Sequence, residues 1–434
     1  MWRIALPMIL SNVSVPLLGM VDTGVTGHLE NAAYLGAVAV GSTIFGFLYT
    51  GVNFLRMGTT GIAAQRFGAG DVQGIRTSLG QALIVALAIA LVLLALMHPI
   101  GELAVHLLGG GAEVTGYARE YFSIRIWSAP ATLANFALIG WFIGLQNARI
   151  PLLIVLVTNI TNIVLDLVLV LGFDMKVAGV AAASVIAEYL GVIVGLGIAA
   201  AELRRRGGGW NAGELTTLKA YRGFLSINAS LLVRTMALMF TFAFVTAQGA
   251  RQGGLILAAN AILMNMQNLL SFALDGFAHA AEALVGKAVG ANSREALQQA
   301  VALTLRWSLY VAAGFCLLFL VGGPLLIDLL TDLPQVRETT LRYLPWIILS
   351  PLVSVWSFLY DGVFVGATRA REMRDIMLLS ALVVFIPSWY VLRFLGNDGL
   401  WLTFMLFMAS RGAGMHYYYR KRLVVAVAAA QGRQ

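Results

Sequence analysis

The sequence predicts an all-α polytopic membrane protein whose twelve transmembrane helices form two parallel, pseudo-symmetric lobes of six. Three observations predict it. Of the 434 residues 59% are hydrophobic and 12% charged, with a mean hydropathy of +0.83, far outside the usage of water-soluble domains. Apolar runs such as QALIVALAIALVLLALMHP (81–99) and LLIVLVTNITNIVLDLVLVLG (152–172) approach the roughly 20 residues that cross about 30 Å of hydrocarbon, and similar runs recur up to Tyr419. The second half also repeats the first at a fixed offset, as set out below.

The spans centre near residues 15, 45, 87, 132, 161, 190, 235, 268, 308, 352, 384 and 408. MWR leads directly into the first, with no small-residue cleavage site behind a short apolar core, so that helix is expected to be retained. Cys316, in VAAGFCLLFLV, is the single cysteine; it reads as a packing residue and excludes an intrachain disulfide.

With the N-terminus in the cytoplasm, the inside loops hold Arg66, Arg76, Arg149, the runs 204–206 and 420–422, Arg294, Arg369 and Arg371 among others. The outside loops hold Arg119, Lys176, Arg251, Arg337, Arg342 and Arg393. This asymmetry predicts that both termini are cytoplasmic. The net charge of +8 is scattered over these loops instead of forming one basic patch, which excludes a nucleic-acid partner.

The polar stretch RRRGGGWNAGELTTLKAYR (204–222) reads as a flexible cytoplasmic linker, leaving an N-terminal lobe of residues 1–203 and a C-terminal lobe of 223–434. An offset of 222 residues places Gly140, Gly144 and Arg149 on Gly362, Gly366 and Arg371. The same ungapped shift places Gly68 on Gly290, Tyr121 on Tyr343 and Ser128 on Ser350. Single matches of Gly or Leu are cheap, but one offset held across some eighty residues indicates duplication. Because six is even, the halves enter from the same side as parallel repeats, an arrangement that usually encloses a central path and alternates access by rocking. A transporter is the leading class.

The motifs of other classes fail. No Walker Lys-Ser/Thr occurs, and FGAGDVQG (67–74) follows an apolar helix instead of a strand, without Rossmann spacing. His98, Glu102 and His106 in HPIGELAVH have metal-ligand spacing, but Pro99 and Gly101 interrupt them, so no metal site is expected. The chain reads as a non-enzyme without a cofactor.

The spans nevertheless hold Asp22, Arg56, Arg125, Asp166, Glu188, Arg234, Asp275, His279, Glu282, Arg306 and Asp361. A charge at mid-bilayer costs roughly 2.5 to 3.5 kcal/mol on insertion scales, so each is a functional candidate unless it lies at a misplaced helix end. Asp22 follows Pro16, which cannot donate to the Asn12 carbonyl and marks a hinge in the first span. An acid at the outer helix end, bonded to neighbouring backbone, is the competing reading. In VTNITNIVLD, Asn159, Asn162 and Asp166 fall on one stripe and point inward, toward oxygen partners for a proton or small cation or toward interhelical hydrogen bonds. A carboxylate held out of water can exchange a proton for a cationic substrate. Asp275, His279 and Glu282 share a face of the eighth span, and Asp361 lies on the tenth. They form either a second ion site or a structural network.

FLRMGTTGIAAQRFGAGD (54–71), LPMILSN with the later Asp22, GWFIGLQNARIPL (140–152), YDGVFVGATRAREMRD (360–375) and SFALDGFAHAAEALVG together resemble the multidrug and toxic compound extrusion (MATE) family, most closely its DinF branch. The resemblance covers essentially the whole chain. It implies two six-helix lobes around a cleft and export of cationic or amphipathic compounds in exchange for inward protons or Na⁺. In that family an Asp of the first helix and an Asn-x-x-x-Asp pair of the fifth act together; Asp22, Asn162 and Asp166 match them. Ser184 stands where a hydroxyl often completes the cluster, and Tyr121 resembles an aromatic that contacts it. Asp361 matches an acid of the tenth helix used by another branch, with Phe364 in place of the usual Gln.

The expectation is therefore a proton-coupled, in preference to Na⁺-coupled, antiporter with Asp22, Asp166, Asn162, Ser184 and Tyr121 as its ion site, acting as a monomer in the bacterial inner membrane. The alternative is a lipid-linked precursor flippase, which would use Arg56, Arg125 and Arg234 to hold phosphates.

Overall fold

The computed structural model describes residues 1–27, 29–108 and 110–432. Each expected span centre falls within its own long helix: α1 (Trp2–Gly27), α2 (Ala32–Gly68), α3 (Val72–Ala95), α4 (Ala112–Gly144), α5 (Arg149–Gly172), α6 (Lys176–Arg206), α7 (Leu218–Arg251), α8 (Gly254–Gly290), α9 (Arg294–Leu330), α10 (Pro334–Gly366), α11 (Ala370–Leu395) and α12 (Asn397–Tyr418). Eleven of them are long and apolar enough to cross a membrane. The 22 residues of α12 reach about 33 Å, enough to span, but Asn397, Asp398, Arg411 and His416 dilute its apolarity. Short helices Met97–Leu108, Ala212–Thr216 and Val424–Gln431, the last reached through a π segment Tyr419–Leu423, complete the helices, and the described residues include no strand.

Large apolar side chains stay exposed along the outer faces, among them Leu91, Val92, Ile193, Leu320, Val321 and Val383. Water would oppose such a surface; hydrocarbon accommodates it. Inward faces interlock as Phe45, Tyr121, Phe122 and Ile126 in one half and as Phe319, Trp401, Phe404 and Phe407 in the other.

Contacts divide the chain into two units, Leu10–Phe224 and Met1–Ile9 with Leu225–Gln434. The opening residues thus pack among second-half helices: the Trp2 ring stands edge-on to Phe277 at 5.3 Å and to Trp307 at 5.1 Å. Gly276 admits the Ala5 carbonyl and Ile9, which any side chain there would displace.

The duplication extends from residue identity to backbone and packing. Asp71 caps α3 by accepting from the Gly74 amide at 2.7 Å, and Ser293, 222 positions on, caps α9 by accepting from the Ala296 amide at 3.2 Å. Positive φ recurs at the same offset in Gly70 (69°) and Asn292 (50°), and in Gln146 (62°) and Thr368 (53°). A Cβ at Gly140 would strike the Arg56 carbonyl and one at Gly362 the Ala278 carbonyl; Gly144 meets Thr60 and Ala64 as Gly366 meets Glu282 and Gly286. Every one of these pairs is separated by 222 residues. Backbone-to-backbone approach of α4 on α2, and of α10 on α8, leaves room only for hydrogen.

The segment 204–222, expected to be a flexible linker, is pinned at several points. Arg76 of α3 donates to the Leu203 carbonyl and, at 2.7 Å, to the Gly207 carbonyl, satisfying the end of α6. Its guanidinium lies 5.6 Å from the Trp210 ring centre, and Gln81 donates to the Glu214 carbonyl at 3.1 Å. A single arginine supplies the donors that the glycine-rich composition conceals.

Candidate functional site

Four helices of the first unit bring polar side chains to one place. α1 contributes Asp22; α4, Tyr121 and Arg125; α5, Asn159, Asn162 and Asp166; and α6, Ser184 and Glu188. The stripe on α5 is buried as its spacing predicts, with Asp166 fully enclosed and Asn162 at 2% exposure. Directly after Asp166 the helix widens into a π segment, Leu167–Gly172, a distortion common at functional positions. α1 runs unbroken from Trp2 to Gly27 through Pro16.

The carboxyl groups of Asp22 and Asp166 lie within hydrogen-bonding reach of each other. Two ionised carboxylates cannot bond to each other; a bond between them forms only when one of the pair carries a proton. With its amide oxygen turned toward α6, Asn162 donates to Asp166 Oδ2 at 3.0 Å and accepts from Ser184 Oγ at 3.0 Å and the Ser184 amide at 3.1 Å. Ser184 Oγ in turn accepts from Arg125 Nη1 at 2.6 Å, and Arg125 Nη1 also donates to the Tyr121 hydroxyl at 2.7 Å. The donors therefore run in one direction, from Arg125 through Ser184 and Asn162 to Asp166. Arg125 faces Asp22, Asp166 and Glu188 electrostatically.

All five residues expected for the ion site, Asp22, Asp166, Asn162, Ser184 and Tyr121, thus belong to one network. Tyr121 joins it through Arg125, with its hydroxyl 3.5 Å from Ser42 Oγ. Asn159 sits farther along and donates to Ser14 Oγ of α1 at 3.0 Å, a second tie between α1 and α5. Glu188, one turn beyond Ser184, accepts from Asn135 Nδ2 at 2.8 Å. The sequence reading passed over Asn135; an amide in the span of an otherwise apolar helix was the available signal.

The second unit differs. On α8, His279 Nδ1 lies 3.4 Å from Glu282 Oε1, and both residues are buried, while Asp275 is half-buried. Asp361 of α10 goes elsewhere: it is salt-bridged to Arg234 of α7 and, at 2.8 Å, to Arg411 of α12. Its carboxylate is occupied by two guanidinium groups. Arg411 is not among the charges singled out in the sequence, although an arginine among small residues in the last span carries the same signal as Arg234. Phe364 is fully buried and packs against Tyr418 at 5.7 Å between ring centres. Among the described residues, no three His, Cys, Asp or Glu are placed to hold a metal ion.

The arginines considered for a phosphate cavity are all engaged separately: Arg56 Nε donates to Asn53 at 3.3 Å, Arg125 serves Tyr121 and Ser184, and Arg234 serves Asp361. Arg306 is exposed on α9.

The MatE family model matches the chain twice, over residues 7–168 and 229–391, beginning 222 positions apart. The DNA damage-inducible protein F of Escherichia coli strain K12 is 43% identical over 421 residues, 97% of this chain and 92% of its own length. A probable multidrug resistance protein NorM of Thermotoga maritima is 25% identical, covering 89% of this chain and 82% of its own. Among solved structures, a MATE protein in the bent conformation superposes with a TM-score of 0.88 at 18% identity, over 99% of this chain and 96% of its own. The Vibrio cholerae MATE transporter VcmN in the bent form gives 0.85 at 20% identity, over 98% and 96%. These relatives are transporters and not enzymes, and their fold has twelve membrane helices in two lobes. From its duplicated frame, its multi-pass helices and the two family matches that follow the same repeat, this chain belongs to the MatE family of multidrug and toxic compound extrusion transporters.

Proposed function

We propose that the chain exports cationic or amphipathic organic compounds by antiport, driven by inward protons in preference to Na⁺, with alternating access by rocking. The observation that carries this reading is the close approach of the buried Asp22 and Asp166 carboxyl groups. The pair is complete with one proton, and a cationic substrate competes for the negative charge left when that proton departs. Na⁺ fits less well, because it needs several oxygen ligands and would lie beside the Arg125 guanidinium, which already engages Ser184. Protonation from outside lowers the affinity for a cation and favours bending of α1 near Pro16; release of the proton to the cytoplasm resets the pair.

An inward proton gains about 2.3 kcal/mol per 100 mV, so one proton exchanged for one monovalent cation is electrically neutral and follows the pH gradient alone. The loop charges support cytoplasmic termini and the bacterial relatives support the inner membrane, where the chain acts as a monomer. The test is efflux of a fluorescent monovalent cation from proteoliposomes. A pH gradient should drive it and a Na⁺ gradient at equal pH should not; the reverse preference would refute proton coupling.

A further inference from the structure

The second unit holds a buried charge imbalance that the coupling site does not use. Arg234 on α7 and Arg411 on α12 both ion-pair with a single carboxylate, Asp361 on α10. Both Nη2 atoms donate to the same oxygen, Oδ2. Among the described residues, Asp361 Oδ1, Arg234 Nε and Arg411 Nε are buried and have no hydrogen-bond partner. The residues themselves are 9%, 8% and 3% exposed. Two guanidinium groups thus share one carboxylate, and both Asp361 and Arg234 act electrostatically on Arg411. The remaining Arg411 contacts are soft ones, with Nη1 3.2 Å from Met408 Sδ and the guanidinium 5.3 Å from the Phe407 ring centre.

A fork of donors that meets only one carboxylate, with donors to spare and an apolar wall beside it, is matched to a second anion. A site for cations would show the opposite balance. We propose that Arg234 and Arg411 form an anion-binding site in the second unit, which takes the carboxylate or similar head group of an amphiphilic organic anion, with Asp361 as the internal anion that holds the site in its absence. The inference rests on the reading of the chain as an exporter of small organic compounds, and extends its substrate class beyond cations.

The pairing makes the variants informative. Arg234→Gln and Arg411→Gln each leave a balanced one-to-one ion pair, so folding should persist while anion binding falls. Asp361→Asn removes the competing carboxylate, so anion binding should rise. The experiment uses the full chain in nanodiscs of zwitterionic lipid, with equilibrium binding of radiolabelled decanoate measured against empty discs and with decyltrimethylammonium as the cationic counterpart. The expected result is saturable decanoate binding, weakened about tenfold or more by either arginine substitution and tightened several-fold by Asp361→Asn, with monodisperse protein throughout. If phosphatidylglycerol added to the discs competes, the anion is a lipid head group; if it does not, the anion is a free amphiphile. Decanoate binding that is unchanged by all three substitutions, or weakened by Asp361→Asn, would overturn the site. No gradient is applied, so a failure of proton coupling leaves this result standing, and the reverse also holds.

Discussion

Asp22 on α1 and Asp166 on α5 lie within hydrogen-bonding reach of each other, although neither ionised carboxylate could donate to the other. A single proton placed between them would satisfy both carboxyl groups. Removing that proton leaves two like charges in contact within a medium that screens them poorly, so the local arrangement must change or a cation must enter. Occupancy of the pair and conformation are thereby linked.

Asp22→Asn and Asp166→Asn each preserve a donor and the side-chain volume but cannot load and release the proton. Both variants are expected to fold and to lose gradient-driven efflux by at least about 100-fold, the scale of losing one essential proton-transfer group. Efflux assays in proteoliposomes, alongside thermal unfolding in detergent, check the separation. In wild type, acidifying the side from which protons enter should accelerate efflux; in both variants the rate should not respond.

Ser184 passes the hydrogen bonds of Arg125 to Asn162. Ser184→Ala leaves a guanidinium donor and an amide without that partner, at a cost of about 1–3 kcal/mol. Ser184→Thr keeps the hydroxyl and should restore both stability and the pH response of transport. Equal loss in the Ala and Thr variants would indicate that side-chain volume, not the hydroxyl, matters there.

The glycines of the repeat give a test of the fold itself. Gly140→Ala and Gly362→Ala each force a methyl group against a backbone carbonyl, Arg56 in one half and Ala278 in the other. Each should cost about 1–3 kcal/mol, while Gly314→Ala, which meets nothing within 4 Å, should be neutral or slightly stabilising. Unfolding temperatures of the three variants in one detergent decide this.

Arg76→Ala is expected to release the segment after α6, since it removes the donors to Leu203 and Gly207. Limited proteolysis should then cut near residues 207–211 faster than in wild type. Arg76→Lys should protect only in part, because one ammonium cannot reproduce the forked contact.

The frame was legible in the sequence because lipid imposes simple rules: apolar runs gave the helices, and the 222-residue offset gave the duplication, which the structure extends to helix caps and positive φ. The stripe of Asn159, Asn162 and Asp166 also read correctly, since spacing on one helix determines a shared face. Partners on other helices did not. That Arg125 would bridge Tyr121 and Ser184, or that Arg411 would join Arg234 on Asp361, depends on how helices pack, which periodicity does not encode. The offset also misleads at the sites. Positions 244 and 388, which correspond to Asp22 and Asp166, are Phe and Ser, so each half keeps the inherited frame but carries its own polar chemistry.

The most direct test of the central claim is proton release on substrate binding in a weakly buffered solution of the purified chain, without any gradient. Addition of a saturating monovalent organic cation such as tetraphenylphosphonium should release protons from wild type and none from Asp22→Asn or Asp166→Asn, with dye-independent binding measured in parallel. Release of the same size from all three proteins would contradict the assignment of the Asp22–Asp166 pair as the place where proton and substrate compete.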